Sequence, residues 1–158
     1  MNRPKDQFPQ DSPYFADKAL LNEPPCYSSM QARLLEYGSN RVTVAIPVLG
    51  NYLNPAGSMQ GGFITAAFDN VFGPLCLSAT GTPRTAALHI ATTYHRPIFE
   101  GDSLVITAAV KNLGNTAVYM EAEAYNKEGK HIASASSNYI IRRSKQSSEA
   151  VNNNGGAK

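Results

Sequence analysis

Apolar and polar residues along this chain follow distinct rhythms. From residue 28 onward the apolar side chains come at every second position: Met30, Ala32 and Leu34 alternate with Gln31 and Arg33. Gly38, Ser39 and Asn40 supply turn chemistry, after which Val42, Val44, Ile46 and Val48 alternate with Thr43, Ala45 and Pro47. Period two marks strands with one buried face, and the short turn makes a hairpin of the two. Residues 49–59 have no such rhythm, and Asn51, Asn54, Pro55 and Gly57 mark a loop. Residues 60–78, QGGFITAAFDNVFGPLCLS, then form the long apolar run of the chain, with its large side chains spread over more than one stripe. A helix that is apolar all round is a buried helix, and the polar interruptions weigh against a membrane span.

The rest alternates strand and turn. A loop at 78–85, with Gly81 and Pro83, leads into an apolar, β-branched strand over 86–96 (Ile90, Thr92, Thr93, Tyr94) that Pro97 closes. Glu100-Gly101-Asp102, Gly114-Asn115 and Lys127-Glu128-Gly129-Lys130 separate three more strands, over 104–110, 116–125 and 132–141. Such short turns predict antiparallel neighbours. The expected fold is therefore α+β: about six antiparallel strands in a sheet that covers one long helix, since each has apolar surface to bury. This domain spans 26–143. Residues 1–25 hold five of the ten prolines and read as an arm, with Ser12 and Pro13 placed to start a short helix over 14–21. Residues 144–158 are polar and low in complexity, the composition of a disordered tail.

Charge and composition narrow the function. The formal net charge is +2. Between Cys26 and Ile141, however, Arg33, Arg41, Arg84, Arg96, Lys111, Lys127 and Lys130 balance Glu36, Asp69, Glu100, Asp102, Glu121, Glu123 and Glu128, and the excess lies beyond, in Arg142, Arg143, Lys145 and Lys158 against Glu149. No basic stripe suggests a nucleic-acid partner. Cys26 and Cys76 lack metal-type spacing and are expected to be free, buried thiols. The three histidines lack it as well, so neither metal nor other cofactor is proposed. The first ten residues contain no apolar secretory core, which points to a cytoplasmic protein without a membrane partner.

One carboxylate, Asp69, stands in the apolar run, where burial of an unpaired charge would be costly. At about 100° per residue its neighbours on the helix face are Gly62, Thr65, Ala66 and Gly73, all small. Such a strip lets a ligand or another backbone come close; the competing reading is that Asp69 caps a second helical segment after a break at Gly73-Pro74. Gly61-Gly62 opens the helix, where N–H groups lack internal partners and could receive a substrate oxygen, or simply mark a loop-to-helix junction. Gly61 and Asp69 are eight residues apart, about 12 Å at about 1.5 Å per residue. Both cannot reach one carbonyl from one helix. Two antiparallel copies could do so, and a homodimer with shared sites is the expected assembly.

The stretch NPAGSMQGGFITAAFDN, followed downstream by TTYHRP, resembles the hot-dog-fold acyl-CoA thioesterases of the phenylacetate-pathway type over residues 30–141. Their pattern is N-x-x-G-x-x-H-G-G, an Asp or Glu at this distance, then a strand ending in Y/F-x-R/S-P. The resemblance implies an acyl-CoA substrate, no cofactor, and homodimers that often pair into tetramers. It places Asp69 at the catalytic carboxylate, as nucleophile or as base for water, and Gly61 at the oxyanion donor. Asn54 falls on a loop residue that helps place water in some members. Gln60 falls where many members have His, and Ala87 where some have a water-positioning Ser or Thr. Gly62, Thr65, Tyr94, His95, Arg96 and the turn holding Asn112, Gly114, Asn115 and Thr116 are the substrate-contacting positions. His89 and His131 are expected to be ordinary strand residues. Two other functions fit the same fold. A non-catalytic acyl-CoA binding or sensing module would fit Gln60 and Ala87 but not the carboxylate; a hydratase would want a histidine where Gln60 stands.

Overall fold

A computed structural model describes residues 24–142. The helix expected over 14–21 and the tail over 144–158 lie outside the described residues. The elements in chain order are a single-turn helix α1 (Pro25–Ser29), β1 (Arg33–Tyr37), β2 (Arg41–Pro47), a 3₁₀ turn (Gly50–Tyr52), the long helix α2 (Gly61–Thr80), β3 (Thr85–Tyr94), β4 (Ser103–Leu113), β5 (Ala117–Tyr125) and β6 (His131–Ile141). The six strands form one sheet in the order β1-β2-β4-β5-β6-β3, every neighbouring pair antiparallel. The chain thus builds β1 to β2 as a hairpin, crosses by α2 to the far edge, and then fills the middle with a meander. Helix and sheet bury each other's apolar surface, with Phe68, Val71, Phe72 and Leu75 of α2 against Ile46, Leu104, Ile106, Val118 and Met120.

Two local expectations need correction, and one competing reading falls. The period-two pattern at Met30 and Ala32 comes not from a strand but from the exit of α1. Both residues are buried, yet they are joined by Gln31 at φ 51°, a left-handed link that turns the chain before β1 begins at Arg33. Helix α1 turns Tyr27 inward and leaves Cys26 exposed, so only Cys76 is a buried thiol; both are free. Finally, α2 runs unbroken through Gly73 and Pro74 to Thr80, where Gly81 at φ 68° donates its N–H to the Leu77 carbonyl and ends it. Asp69 therefore caps nothing.

The helix is also not apolar all round. Ile64, Ala67, Phe68, Val71, Phe72 and Leu75 are buried, whereas Gly62, Ala66 and Asp69 are exposed and Thr65 and Gly73 half-exposed. By length and a mean hydropathy of 1.2 the helix could cross a membrane. Its packing on the sheet is that of a core helix with one open strip.

Candidate active site

The site begins in the loop ahead of α2. Asn54 Oδ1 accepts the N–H groups of Ala56 (2.9 Å) and Ser58 (3.2 Å), and Asn54 Nδ2 donates to Ser58 Oγ (3.1 Å). The side chain thereby closes a tight turn of its own loop. Main-chain bonds then fix the entry to the helix: Met59 N–H to the Ile98 carbonyl and Gln60 N–H to the Tyr52 carbonyl, both 2.8 Å. Phe63 stacks on Tyr52 at 4.6 Å. Gln60 is the N-cap, yet its exposed side chain makes no capping bond. Its carbonyl accepts from Phe63 and Ile64, so the N–H groups of Gly61 and Gly62 precede the helical ladder.

Tyr94, the last residue of β3, lies across this helix start. Its hydroxyl donates to the Gly61 carbonyl (2.9 Å) and sits 2.8 Å from Thr65 Oγ1, which donates to Thr92 Oγ1 at 3.0 Å. A Cβ at Gly61 would stand 2.8 Å from the Tyr94 ring, while one at Gly62 would meet nothing within 4 Å. Glycine at 61 thus serves a close approach, and Gly62 faces open space. These contacts also show that the small-residue strip of α2 runs beside β3, an edge strand of the sheet.

Two turns further along the strip, Asp69 accepts a 2.6 Å hydrogen bond at Oδ1 from the hydroxyl of Tyr139 on β6. Tyr139 is buried; that burial, followed by the Asp69 hydrogen bond and charge, pushes its phenol well above the usual tyrosine range. The tyrosine stays a protonated donor and the carboxylate the acceptor. Tyr139 was not among the residues expected from the sequence. The available signal was a phenol on the inward face of a strand whose other inward residues are Ala133, Ala135 and Ser137, because a buried tyrosine hydroxyl needs a partner.

The remaining positions divide between the two ends of the sheet. At one end His95 Nε2 lies 3.0 Å from Ser134 Oγ, its ring 4.4 Å from that of His131, while Arg96 Nη1 donates to the His131 carbonyl at 3.0 Å. His131 also pairs with Glu123. At the other end Asn112, near the end of β4, and Gly114, Asn115 and Thr116 in the β4–β5 turn are exposed, beside Ile141, whose N–H bonds to the Thr116 carbonyl. Strand β3, ten residues and roughly 33 Å long at about 3.3 Å per residue, separates the two groups. One chain brings Gly61, Gly62, Thr65 and Tyr94 together. It leaves Gly61 and Tyr94 two helical turns from Asp69, with Thr65 one turn from it, and keeps all four away from the turn. Among the described residues, no three His, Cys, Asp or Glu side chains group as metal ligands.

A six-stranded antiparallel sheet packed on one long helix is the hot-dog fold. Residues 56–133 match the sequence model of the thioesterase superfamily. A protein of Archaeoglobus fulgidus named "Putative esterase" is 33% identical over 111 residues, 69% of this chain and 70% of that one. The chain belongs to the thioesterase superfamily. Among solved structures, the PaaI protein from the phenylacetic acid degradation operon of E. coli superposes with a TM-score of 0.75 at 21% identity, over 83% of this chain and 94% of its own. A hypothetical thioesterase of Streptococcus pneumoniae, solved with coenzyme A, gives 0.68 at 21% identity, over 73% and 89%.

Proposed function

We propose that this protein hydrolyses acyl-CoA thioesters to a free acid and CoA, in sites shared between two copies of the chain. The observation that carries this reading is a carboxylate on an open, small-residue strip of a helix whose N-terminus offers N–H groups beside glycine. A thioester carbon needs both: a carboxylate to bring the attacking oxygen and donors for the oxygen that becomes negative. The coenzyme A in the pneumococcal relative supports the ligand class.

The chemistry runs by one of two routes. In the first, Asp69 takes a proton from water as the water oxygen bonds to the thioester carbon. In the second, Asp69 Oδ2 bonds to that carbon, and water later cleaves the mixed anhydride. In both, the carbonyl oxygen gains charge against the Gly61 N–H, the C–S bond breaks, and the CoA thiolate takes up a proton. Gln60 stands ready to donate its side-chain amide at the helix start, and Asn54 holds the loop that sets that start. His95 and Arg96 at one sheet end, and the turn of Asn112, Gly114, Asn115 and Thr116 at the other, are the candidate contacts for CoA; an arginine suits its phosphates.

The two-copy reading rests on distance. Asp69 and Gly61 are about 12 Å apart along α2, whereas the reacting carbonyl needs each within about 3 Å. An antiparallel partner helix laid along the strip puts the partner's Gly61 beside Asp69. The same surface offers β3 as an edge for pairing, with Leu88 on it 63% exposed. The reaction belongs in the cytoplasm, where acyl-CoA is available.

Release of free thiol from a panel of acyl-CoAs, followed for the parent and for Asp69→Asn, tests the proposal. Turnover by the parent and its loss in the variant are expected. Saturable binding without turnover across the panel would instead assign a binding module, and an Asp69→Asn chain as active as the parent would sink the mechanism.

A further inference from the structure

We infer that Tyr139 is a positioning residue for Asp69: its buried hydroxyl holds Oδ1 and so presents Oδ2 to the thioester carbon or to the attacking water. The inference rests on the acyl-CoA hydrolase reading above and adds to it a residue from a different element, 70 positions along the chain.

The sheet register supplies the residue. Tyr139 pairs with Ala87 on β3 and with Val118 on β5, so these two flank it on the face turned toward α2. A bulge between Ala87 and His89 leaves Leu88 without an opposite residue and sets the methyl group of Ala87, rather than a larger side chain, beside the tyrosine ring. The ring is 5% exposed and fixed by its neighbours, and its hydroxyl reaches across to Asp69 Oδ1 at 2.6 Å. That distance is typical of a hydroxyl bonded to an ionised carboxylate.

The consequence for chemistry is orientational. An exposed carboxylate on a helix, flanked by Gly62, Thr65, Ala66 and Gly73, has no bulky side chain on its own strip to choose its rotamer. The tyrosine chooses it from the sheet side. With Oδ1 occupied, Oδ2 is the oxygen left for the substrate that the partner helix would deliver. Cys76 and Tyr27 add smaller contributions to the same rise in the tyrosine's pKa, so the hydroxyl remains a donor rather than a competing base. No proton leaves Tyr139 in either route.

The test is Tyr139→Phe, which keeps the ring and removes the donor. With an acyl-CoA that the parent turns over, kcat should fall about 10- to 100-fold, the cost of a misplaced reacting group, while KM stays within about twofold. A merely structural tyrosine would leave kcat per folded molecule unchanged. A variant with kcat within about twofold of the parent, beside an inactive Asp69→Asn, would overturn the inference and leave the hydrolase reading standing. A parent that turns over no acyl-CoA would overturn both. Should Tyr139→Phe not fold, proton NMR of the parent decides. A slowly exchanging, downfield phenolic proton that shifts in Asp69→Asn supports the bond, and a Tyr139 proton in fast exchange with solvent contradicts it.

Discussion

The two sides of helix α2 obey different rules. On one side Ile64, Ala67, Phe68, Val71, Phe72 and Leu75 are buried against the sheet, five of them fully. On the other, Gly62, Thr65, Ala66, Asp69 and Gly73 form an open strip of small residues around one charge. The buried side is chosen by volume: any apolar set of the right size and spacing would pack there. The open side is chosen by access and by chemistry. Two features tie the sides together, Tyr94 over the helix start and Tyr139 beneath Asp69, both reaching α2 from the sheet. The helix is thus a bar gripped along one side, with the other side left open at a fixed spacing of Gly61 and Asp69.

That contrast predicts opposite signatures for mutations a turn or less apart. Phe68→Ala should lose about 3–5 kcal/mol of stability through the cavity it leaves, read by denaturant melts, with kcat per folded molecule close to that of the parent. Its neighbour Asp69→Asn should do the reverse. Turnover should fall about 10³-fold, about 4 kcal/mol of transition-state stabilisation, while an acceptor remains for the Tyr139 hydroxyl and the melt moves by less than about 1 kcal/mol. A shared phenotype for the two would erase the distinction between the sides.

Smaller changes sharpen it. Gly61→Ala keeps the N–H but puts a Cβ 2.8 Å from the Tyr94 ring. The exposed tyrosine must move away, and kcat should fall about 10-fold, about 1.4 kcal/mol, as the helix start loses its brace. Gly62→Ala, pointing into open space within the chain, should have no effect on the stability of the isolated fold. The weakest effect concerns pH. The phenol of Tyr139 has its folded pKa raised above the unfolded value of about 10, so its contribution to stability is complete below about pH 10 and drains away as pH rises toward the folded pKa. Melting temperature should drop on the alkaline side, and less steeply in Tyr139→Phe. Tyr52, raised in the same way by burial, accounts for part of what remains.

Much of this was legible in the sequence. Period two gives β2, β4 and β5, β-branched composition gives β3, and short turns set off β6 and give the antiparallel sense, because all of these depend on residues close together in the chain. The open strip is also a local property: positions 62, 65, 66, 69 and 73 share a face whatever the helix packs on. What could not be read locally are contacts that depend on register. Tyr139 meets Asp69 only because the β3–β6 pairing and its bulge set the tyrosine at that level. The exit of α1 shows the opposite failure. Met30 and Ala32 mimic a strand because a positive-φ residue between two buried ones produces the same alternation. Expecting a helix buried all round confused apolar composition with burial within one chain. Glycine and alanine are apolar on either count, and here they line the exposed side.

The central claim is that α2 carries two half-sites and that a partner copy completes each. Mixing two inactive variants tests it directly. Asp69→Asn removes the carboxylate, and Gly61→Pro removes the N–H at a position where a helix accepts proline. Each alone should be inactive. Co-expressed or exchanged together, they should regain up to about a quarter of parental activity per chain, because half of a statistical mixture is heterodimer and each heterodimer holds one intact site. Folded, exchanging variants that remain inactive when mixed would contradict the shared site and return both groups to a single chain.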